Sequence, residues 1–525
     1  MVAINCVAQD RQTESDLPRD RMEDKMSGAC PAELDFDVVV VGAGISGINA
    51  AYRIQQNVPK TTYTILEGRD ILGGTWDLWR YPGIRSDSDV FTFSFAWNPW
   101  SRTSTLAMGD EIKNYMAESA EMAGIDEHIR YRHRAVSANW TREGRCWEIT
   151  VQVHSNDQRQ QAGAQQGHEL KVLRSRFIFL GTGYYDYEQP LHAVIPGLHR
   201  FEGDLIRPQF WPQEYDYSNK EMVIIGSGAA AISILPAVAE RVKHVTMVQR
   251  SPTWFFPVSR HGKIGSVIAT VLPARISRQV NRYRWLIQGY ILVGMCKYFP
   301  GLARLILGFL TARQLPSDVS WEKHFKPRYD PWEQRMCMTM DGDFFRSLRS
   351  GKASVVTDHI ETVTGNSIKL VSGQEVPADV IVAATGIRLR FGGNIRFSVD
   401  GVSVDPTQKI AWKASMLQDL PNLVFSFGYE NAAWTLGADC AAKVLIRLMR
   451  QLEKQGASTA TPYLGAEDSE KMQRRPMFSL SSTYLEHMCE MFPQGGSGQW
   501  RRRSHYMADF WAAKWGDMKT GLVIE

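Results

Sequence analysis

The sequence predicts an α/β fold that contains two dinucleotide-binding domains of the Rossmann type. Two glycine-rich motifs support this prediction: Gly42-Ala-Gly44-Ile-Ser-Gly47 and Gly226-Ser-Gly228-Ala-Ala-Ala231. The first follows the apolar run Phe36 to Val41, and the second follows Met222 to Ile225. A strand, a glycine-rich turn and a helix in this order hold the pyrophosphate of a nucleotide. Two such units indicate two nucleotide cofactors with electron transfer between them.

The overall composition is that of an ordinary globular protein. The 525 residues are enough for two or three domains, and 44% hydrophobic with 22% charged residues is an average balance. A formal charge of +4 gives no argument for a nucleic-acid partner. The seven cysteines are scattered and include no CxxC pair, so neither a disulfide framework nor a metal site is expected. This cysteine usage fits a reducing compartment, and a cytoplasmic location is the expectation.

Two segments outside the nucleotide units have their own character. Residues 1–35 are polar and lack the apolar core of a signal peptide, which predicts a mobile leader. The apolar stretches Trp285 to Cys296 and Leu302 to Thr311 are shorter than the ~20 residues of a membrane span. Both lie among arginines, and the first interpretation is a helical insertion with a buried face. Peripheral contact with a membrane surface and an apolar substrate entrance are the alternatives.

The first nucleotide unit matches its expected pattern at each step. Val38 to Val41 suits a central parallel strand, and a helix is predicted from Ile45 to about Gln56. Gly42 makes the tight turn, Gly44 lets the backbone approach a pyrophosphate, and Gly47 lets helix and strand pack closely. The next strand, Tyr63 to Leu66, ends at Glu67. A carboxylate there accepts hydrogen bonds from ribose hydroxyls and repels a 2′-phosphate, which suits FAD or NAD.

The second unit differs at the end of its second strand. A helix is predicted through about Ala239, and the strand Val245 to Val248 ends in Gln249-Arg250-Ser251 instead of an acid. Arg250 can bind a 2′-phosphate, and Ser251 can add a hydrogen bond. The contrast with Glu67 predicts FAD in the first unit and NADPH in the second, where Gly226, Ser227, Gly228 and Ala231 would hold the pyrophosphate. An ordinary surface position for Arg250 is the alternative.

A third motif lies just ahead of the second unit, Phe201-Glu-Gly203-Asp-Leu-Ile-Arg207-Pro-Gln-Phe-Trp211-Pro212. It resembles the Baeyer–Villiger monooxygenase fingerprint, phenylalanine-x-glycine-x3-histidine-x3-tryptophan followed by proline or aspartate. Arg207 stands where that family has histidine. Seven further segments agree with the family between about Asp37 and about Asp439: Gly73–Trp76, Arg80–Gly83, Arg85–Asp89, Thr182-Gly183, Gln249–Thr253, Tyr329–Arg335 and Thr385-Gly386. The chain therefore resembles the class B flavoprotein monooxygenases of Baeyer–Villiger type, and within them the branch of the mycobacterial ethionamide-activating enzyme.

The resemblance implies a discontinuous FAD-binding domain with the NADPH-binding domain inserted into it. We expect residues 36–212 to form the first part of the FAD domain and residues 213–374 the NADPH domain, with a helical insertion at about 260–330. Residues 375–525 would return to the FAD domain and add a C-terminal segment. The stretch Asp379 to Ala384 predicts a buried strand leading into Thr385 and Gly386, and we assign this strand to the return.

The resemblance also implies an activity and roles for individual residues. With FAD and NADPH, a flavin peroxide would insert one oxygen atom from O2 into a small hydrophobic ketone, giving an ester or lactone. Arg335 would be the catalytic cation beside the flavin, and Asp87 would hold and tune it. The alternative for this pair is an ordinary buried ion pair between domains. Gly74, Thr75 and Trp76 would pack against the flavin, and Thr385 and Gly386 would contact a cofactor.

The sequence leaves open the position of Trp434, the effect of Arg207 and the possibility of a non-catalytic relative. Gly428 to Leu436 is expected to line the flavin's far edge and the substrate cavity, but Trp434 fits a core position equally well. Arg207 could meet a carboxylate across the domain hinge, or alter the position of NADP+. It could also shift the chemistry toward S- or N-oxygenation or partly uncoupled NADPH oxidation. A disulfide reductase is excluded by the lack of a cysteine pair between Glu67 and Cys146, and Arg207 alone favours a non-catalytic nucleotide-binding relative.

Overall fold

A computed structural model describes residues 33–154, 169–478 and 489–525 of the chain. The first 32 residues of the predicted leader at 1–35 lie outside the described residues. The mixed α/β fold predicted from the sequence is confirmed, with parallel sheets and helices around two glycine-rich turns.

The strands are numbered in chain order. The first six are β1 (Phe36–Val41), β2 (Tyr63–Glu67), β3 (Ile129–Tyr131), β4 (His133–Thr141), β5 (Cys146–Val153) and β6 (Glu169–Leu180). The middle of the chain adds β7 (Asp204–Ile206), β8 (Glu221–Ile225), β9 (His244–Gln249), β10 (Phe255–Val258), β11 (Cys337–Met340), β12 (Ala353–Thr357), β13 (Ile360–Val363), β14 (Ser367–Leu370), β15 (Glu375–Pro377) and β16 (Val380–Ala383). The last part adds β17 (Arg396–Val399), β18 (Val402–Val404), β19 (Ala411–Trp412), β20 (Met416–Leu417), β21 (Leu423–Phe425), β22 (Ala460–Pro462), β23 (Arg475–Pro476), β24 (Gln494–Gly495) and β25 (Leu522–Ile524).

The helices are numbered in the same way. Those before the middle of the chain are α1 (Ile45–Asn57), α2 (Thr75–Leu78), α3 (Val90–Phe93), α4 (Gly109–Met122) and α5 (Ala229–Val238). They are followed by α6 (Lys263–Val271), α7 (Ala274–Tyr298), α8 (Pro300–Ala312), α9 (Trp321–His324) and α10 (Asp343–Arg349). The last are α11 (Trp434–Gln455), α12 (Ala466–Lys471) and α13 (Tyr506–Trp515).

The first sheet carries the first glycine turn. Its main path runs β18-β17-β4-β5-β6-β1-β2-β3, and β21 pairs with the carboxyl end of β6. Strand β1 runs parallel to both β2 and β6, as a central strand of a nucleotide-binding sheet should. Val38 and Val40 face the core that contains α1 and α11, whereas Val39 and Val41 face a second core containing Trp140 and Trp147. Burial on both faces explains why β1 is a continuous apolar run.

The second sheet carries the second glycine turn, and its strand order contradicts the domain assignment of one predicted strand. Its five parallel strands have the order β12-β9-β8-β16-β7. Strand β16 lies between β8 and β7, with Val382 paired to Ile224 and Ile206. The assignment of Asp379–Ala384 to the return of the FAD domain is therefore wrong, because this strand completes the second sheet. Strand β7, within the predicted first part of the FAD domain, also belongs to this sheet.

Helices α6 to α9 form the excursion between β10 and β11. Both apolar stretches have an inward side: Trp285, Leu286, Leu292 and Met295 are partly buried against apolar clusters, and Cys296, Ala303 and Leu307 are buried. Other apolar residues of these helices are exposed. No single helix among the described residues is long and apolar enough to cross a membrane. Helices α7 and α8 reach that length and composition only as a pair, and they meet at a bend of 115°.

Candidate active site

The first glycine turn leaves room for a ligand at one glycine and none at the other two. Gly42 has φ +100°, and a β-carbon there would lie 2.8 Å from the carbonyl oxygen of Gly181. A β-carbon at Gly47 would lie 1.9 Å from the carbonyl oxygen of Gly42, so this glycine lets α1 pack on the turn. At Gly44 the nearest atom to a β-carbon is the Cα of Gly74 at 3.7 Å. The backbone at Gly44 therefore borders open space, where a pyrophosphate fits at the amino end of α1.

Glu67 ends β2 with its side chain buried beside this turn. Its Oε2 accepts a hydrogen bond from the Ala43 backbone N–H at 2.8 Å, and its Oε1 accepts one from the Arg69 N–H at 3.0 Å. Burial raises the pKa of Glu67, and the two backbone N–H groups and the nearby Arg69 offset part of that rise. Each carboxylate oxygen keeps a further lone pair, so the group can accept from ribose hydroxyls. These features fit the adenosine half of FAD.

A cavity of about 600 Å³ begins at this turn and brings most of the predicted first-site residues together. Its volume lies within the usual range for small-molecule sites. The predicted residues in its wall come from five separate parts of the chain: Gly42, Gly44, Glu67, Gly74, Thr75, Trp76, Asp87 and Arg335. Gly47 lies beneath the turn and not in the wall. The cavity therefore joins the predicted flavin contacts to the predicted catalytic pair.

Arg335 and Asp87 form an ion pair at this cavity. The Nη2 of Arg335 donates to Oδ1 of Asp87 at 2.9 Å, and the two side chains are 38% and 31% exposed. Arg335 comes just before β11, and Asp87 lies in the loop between α2 and α3. The pair is open to the cavity on one side, which differs from the fully buried interdomain pair that was the alternative interpretation. A cation held in this way can stabilise negative charge that develops on a bound substrate.

The second glycine turn has the same form at the end of β8. A β-carbon at Gly226, where φ is +124°, would lie 2.3 Å from the carbonyl oxygen of Ala384, whereas at Gly228 no atom comes within 4 Å. The space at Gly228 fits a second pyrophosphate at the amino end of α5. Ala231 is buried in α5, and the Ser227 hydroxyl donates to the carbonyl of Ser251 at 3.3 Å.

The remaining predicted second-site residues surround this turn. Arg250 and Ser251 are exposed directly after β9. Thr385 and Gly386 follow Ala384, whose carbonyl faces Gly226 at the end of β16. None of these four lines the cavity of the first site. Ala229 and Ala230 do line it, so the amino end of α5 is where the second site meets the first.

The segment from Arg80 to Arg85 joins the two nucleotide units. A β-carbon at Gly83 would lie 2.3 Å from the carbonyl oxygen of Ser233 in α5, so only glycine allows this approach. Arg85 forms an ion pair with Asp343 at the start of α10. This segment is therefore a structural junction between the two units, and it places Asp87 opposite Arg335.

The aromatic wall of the cavity was only partly foreseen. The hydroxyls of Tyr184 and Tyr185 lie 2.7 Å apart, and the Tyr184 ring stacks on Trp434 with centroids 4.6 Å apart. Burial raises the pKa of both tyrosines, so both remain protonated at neutral pH. Trp434 lines the cavity and donates from Nε1 to the Ser46 hydroxyl at 3.0 Å. The two tyrosines follow the Thr182-Gly183 turn, which was the available signal for them.

Asp77 is a buried charged residue that the sequence analysis missed. It forms ion pairs with Arg69, with Arg80 at 3.1 Å and with Lys113 at 2.6 Å. Burial alone would raise the pKa of Asp77, but the Lys113 hydrogen bond and the three cations lower it overall. A β-carbon at Gly73 would lie 3.1 Å from the Cβ of Asp77, so this cluster supports the turn that presents Gly74, Thr75 and Trp76 to the cavity.

Arg207 is half-buried where the fingerprint motif enters the second sheet. Its side chain forms no hydrogen bond or ion pair with any residue in the described ranges. The carboxylate partner expected across the hinge is therefore not found in this part of the chain. The neighbouring Gln209 connects the fingerprint motif to the segment after β6, because its side-chain N–H donates to the backbone carbonyl of Asp186 at 2.6 Å.

Comparison with known proteins agrees with this geometry. The profile of the pyridine nucleotide-disulphide oxidoreductase family matches residues 39–281. The FAD-containing monooxygenase EthA of Mycobacterium tuberculosis is 39% identical over 476 residues, which cover 90% of this chain and 94% of EthA. Among solved structures, OTEMO in complex with FAD and NADP superposes with a TM-score of 0.69 at 18% identity, covering 94% of this chain and 100% of OTEMO. Oxidized steroid monooxygenase bound to NADP gives 0.70 at 19% identity, covering 93% and 99%. The chain thus belongs to the class B flavin monooxygenases, enzymes that contain FAD and include Baeyer–Villiger-type members.

Proposed function

We propose that this flavin monooxygenase uses FAD and NADPH to convert a hydrophobic ketone into an ester or lactone. In the balanced reaction, ketone, O2, NADPH and a proton give the ester, NADP+ and water. The observation that carries the proposal is the Arg335–Asp87 ion pair in the wall of the cavity that begins at the first glycine turn. Oxygen insertion beside a carbonyl passes through an oxyanion, and Arg335 is the cation placed to stabilise it.

The first unit holds FAD in this proposal. The amino end of α1 and the open backbone at Gly44 receive the pyrophosphate, and Glu67 accepts from the ribose hydroxyls. Gly74, Thr75 and Trp76 pack against the flavin. When bound, the flavin accepts hydride from NADPH and activates O2 for transfer of one oxygen atom to substrate.

The second unit holds NADPH in this proposal. The amino end of α5 receives the pyrophosphate at Gly228, and the exposed Arg250 and Ser251 bind the 2′-phosphate. Thr385 and Gly386 border the same turn. Because Ala229 and Ala230 line the first cavity, a dinucleotide held at α5 lies next to the flavin site.

Asp87 is a positioning residue for Arg335. Its carboxylate accepts an N–H of the guanidinium at 2.9 Å and fixes the orientation of that group at the cavity wall. The aromatic residues Tyr184, Trp434 and Phe427 form an apolar wall that excludes water from the same cavity. Lower water content strengthens the interaction between the guanidinium and a developing oxyanion.

The proposal is tested with the purified holoenzyme, NADPH and isotopically labelled O2. A panel of cyclic and linear ketones is compared with thioethers of the same shape, and products are identified by mass spectrometry. We expect esters or lactones that carry one labelled oxygen atom. Sulfoxides with no ester from any ketone would support the S-oxygenation alternative and contradict the proposal. Stoichiometric hydrogen peroxide with every substrate would indicate uncoupled oxidation, the outcome that Arg207 leaves open.

A further inference from the structure

Helix α7 packs both polar and apolar residues against the protein and also carries apolar residues on its outward side. Ser277, Asn281 and Arg282 are buried, and Arg282 donates to the carbonyls of Phe91 and Ser94 at 2.8 Å each. The exposed apolar residues recur every three or four positions and so share one side of the helix: Ile276, Val280, Tyr283, Ile287 and Ile291. A helix on the surface of a globular protein normally carries polar residues on its outward side. The outward face of α7 therefore needs an apolar partner.

The two neighbouring helices continue this surface. Helix α6 has no buried residue, and it exposes Ile264, Val267 and Val271 on one side. Helix α8 exposes Leu302, Leu305, Ile306 and Phe309. Both helices pack against α7. We call the exposed apolar side of α6, α7 and α8 the helical face. Exposed apolar side chains concentrated on helices that pack together mark an interaction site.

The charge around the helical face is positive and largely uncompensated. From Arg241 to Ser317 the sequence contains no aspartate or glutamate. Lys263, Arg275, Lys297 and Arg313 are exposed within the excursion, and none forms an ion pair with a carboxylate in the described residues. Apolar side chains bordered by unpaired cations match an anionic bilayer, whose headgroups supply negative charge above an apolar layer.

A helix from the far end of the chain extends the same surface. Helix α13 exposes Met507, Trp511 and Trp515, which are spaced four residues apart on one side. The backbone N–H of Met507 donates to the hydroxyl of Tyr290 in α7 at 2.9 Å, so the two helices are in contact. Tryptophan is enriched where proteins meet the membrane–water interface. The C-terminal segment thus independently carries the composition of an interfacial element.

We propose that the helical face, together with α13, docks the enzyme on an anionic lipid bilayer without spanning it. The bend of 115° between α7 and α8 suits helices that lie in the interface plane. The buried side of α7 is fixed to α3 through Arg282, and Phe93 of α3 lines the active-site cavity. The docked surface would therefore lie one helix away from the cavity wall. This inference concerns binding to lipid and stands independently of the reaction proposed above.

The test uses the full-length holoenzyme and vesicle co-sedimentation. Vesicles of phosphatidylcholine alone are compared with vesicles of equal parts phosphatidylglycerol and phosphatidylcholine. We expect binding to the anionic vesicles that weakens with added salt. The double variant Ile287→Ser/Ile291→Ser should bind at least about ten-fold less. Lys297→Gln and Arg313→Gln should each weaken binding by about five-fold.

The matched control replaces exposed apolar residues elsewhere. Val371 and Val402 are 65% and 71% exposed, compared with 65% for Ile291 and 70% for Leu305. Val371→Ser/Val402→Ser should leave vesicle binding unchanged. Flavin content and circular dichroism confirm that each variant is folded. A wild-type protein that stays in the supernatant with anionic vesicles would overturn the proposal.

Sedimentation velocity without lipid separates a bilayer from a protein partner. A monomer, or an oligomer that the Ile287→Ser/Ile291→Ser variant retains, agrees with lipid docking. An oligomer that this variant dissociates, without vesicle binding by the wild type, would show that a second copy of the chain covers the helical face. That result would also overturn the proposal.

Discussion

Arg335 and Asp87 lie 248 positions apart in the sequence, and they meet through a hydrogen-bonded ion pair of 2.9 Å in the cavity wall. Asp87 is placed by the segment that packs on α5 at Gly83, and Arg335 by the turn before β11. The pair therefore forms only when both nucleotide units are assembled. Its geometry links cofactor binding in the two units to the position of one cation.

Asp87→Asn should lower the turnover of ketone by about 10- to 100-fold, because the guanidinium loses the charge that orients it. The KM for NADPH and the flavin content should change little. Steady-state ester formation measures the effect, and Asp87→Glu should restore part of it. The control is Asp343→Asn, which removes the partner of Arg85 at a carboxylate that does not itself line the cavity. An equal loss of turnover in the control would show that Asp87 acts only through assembly of the two units.

Glu67→Gln should weaken FAD binding by about 10- to 100-fold, since the amide presents N–H groups toward Ala43 and accepts more weakly from ribose. Fluorescence titration of the apoprotein with FAD measures this affinity. Glu188→Gln is the control, because Glu188 also lines the cavity but pairs with Arg134. Unchanged FAD affinity in Glu67→Gln would remove Glu67 from the cofactor site.

The same Glu67→Gln substitution, which should weaken FAD binding, should not lower the stability of the apoprotein. Burial raises the pKa of Glu67, so the folded chain carries a desolvation cost when the carboxylate is charged. That cost is complete above the folded pKa and disappears as the pH falls below the ordinary glutamate value. At neutral pH the apo Glu67→Gln variant should therefore melt no lower than the wild type.

Arg250→Ala should raise the KM for NADPH by about 10- to 100-fold and leave the KM for NADH unchanged. The reason is that the guanidinium contacts the 2′-phosphate, which NADH lacks. Initial rates of flavin reduction with each nucleotide provide the measurement. Arg241→Ala, at an exposed arginine that packs over Tyr217, serves as the control. Parallel changes with NADPH and NADH would contradict the proposed role.

Lys413→Met should change the pH dependence of stability. Burial, together with the charge of Arg447, lowers the pKa of Lys413 to about 8 from an ordinary value of 10.5. Between these values the unfolded chain is protonated and the folded chain is not, so wild-type stability should rise with pH. The variant should be the more stable protein near pH 7, and the wild type should gain about 2 kcal/mol relative to it by pH 10.5.

Chemical denaturation at several pH values gives these free energies. Lys409→Met is the control, because Lys409 forms an ion pair with Asp419 on the neighbouring chain segment. The control should keep the wild-type rise between pH 8 and 10.5. A Lys413→Met variant that also kept this rise would show that another group titrates there.

Local motifs made the nucleotide units predictable. The order of strand, glycine turn and helix determines where Gly42, Gly228 and Glu67 lie, because the elements that position each of them are neighbours in one βαβ unit. The roles of Arg335 and Asp87 were inferred from the family resemblance. Local sequence patterns do not show that two residues separated by 248 positions come into contact. The cluster around Asp77 was missed in part for the same reason, because Lys113 reaches Asp77 only after α4 packs on α2.

The wrong domain assignment of β16 and the unforeseen exposed side of α7 have physical causes as well. The strand β16 is short and apolar, and such a strand gives no information about which sheet it joins. Its register against Met222 and Asp204 follows from the neighbouring strands and not from its own residues. Helix α7 packs Trp285 and Leu286 against the core, as a buried face requires, but a second apolar side that includes Ile287 and Ile291 is exposed. Periodicity does not tell whether that side faces the protein or an external partner.

The proposed oxygen insertion depends most directly on the charge of Arg335. In Arg335→Ala, bleaching of the flavin absorbance by NADPH under anaerobic conditions should stay within a few-fold of the wild-type rate, because the mutation leaves both nucleotide units intact. Arg390→Ala, at another arginine in the cavity wall, is the control and should retain ester formation. The deciding measurement is ester formed per NADPH consumed by Arg335→Ala in air. We predict a fall of at least about 100-fold, and ester formation at the wild-type yield would contradict the account.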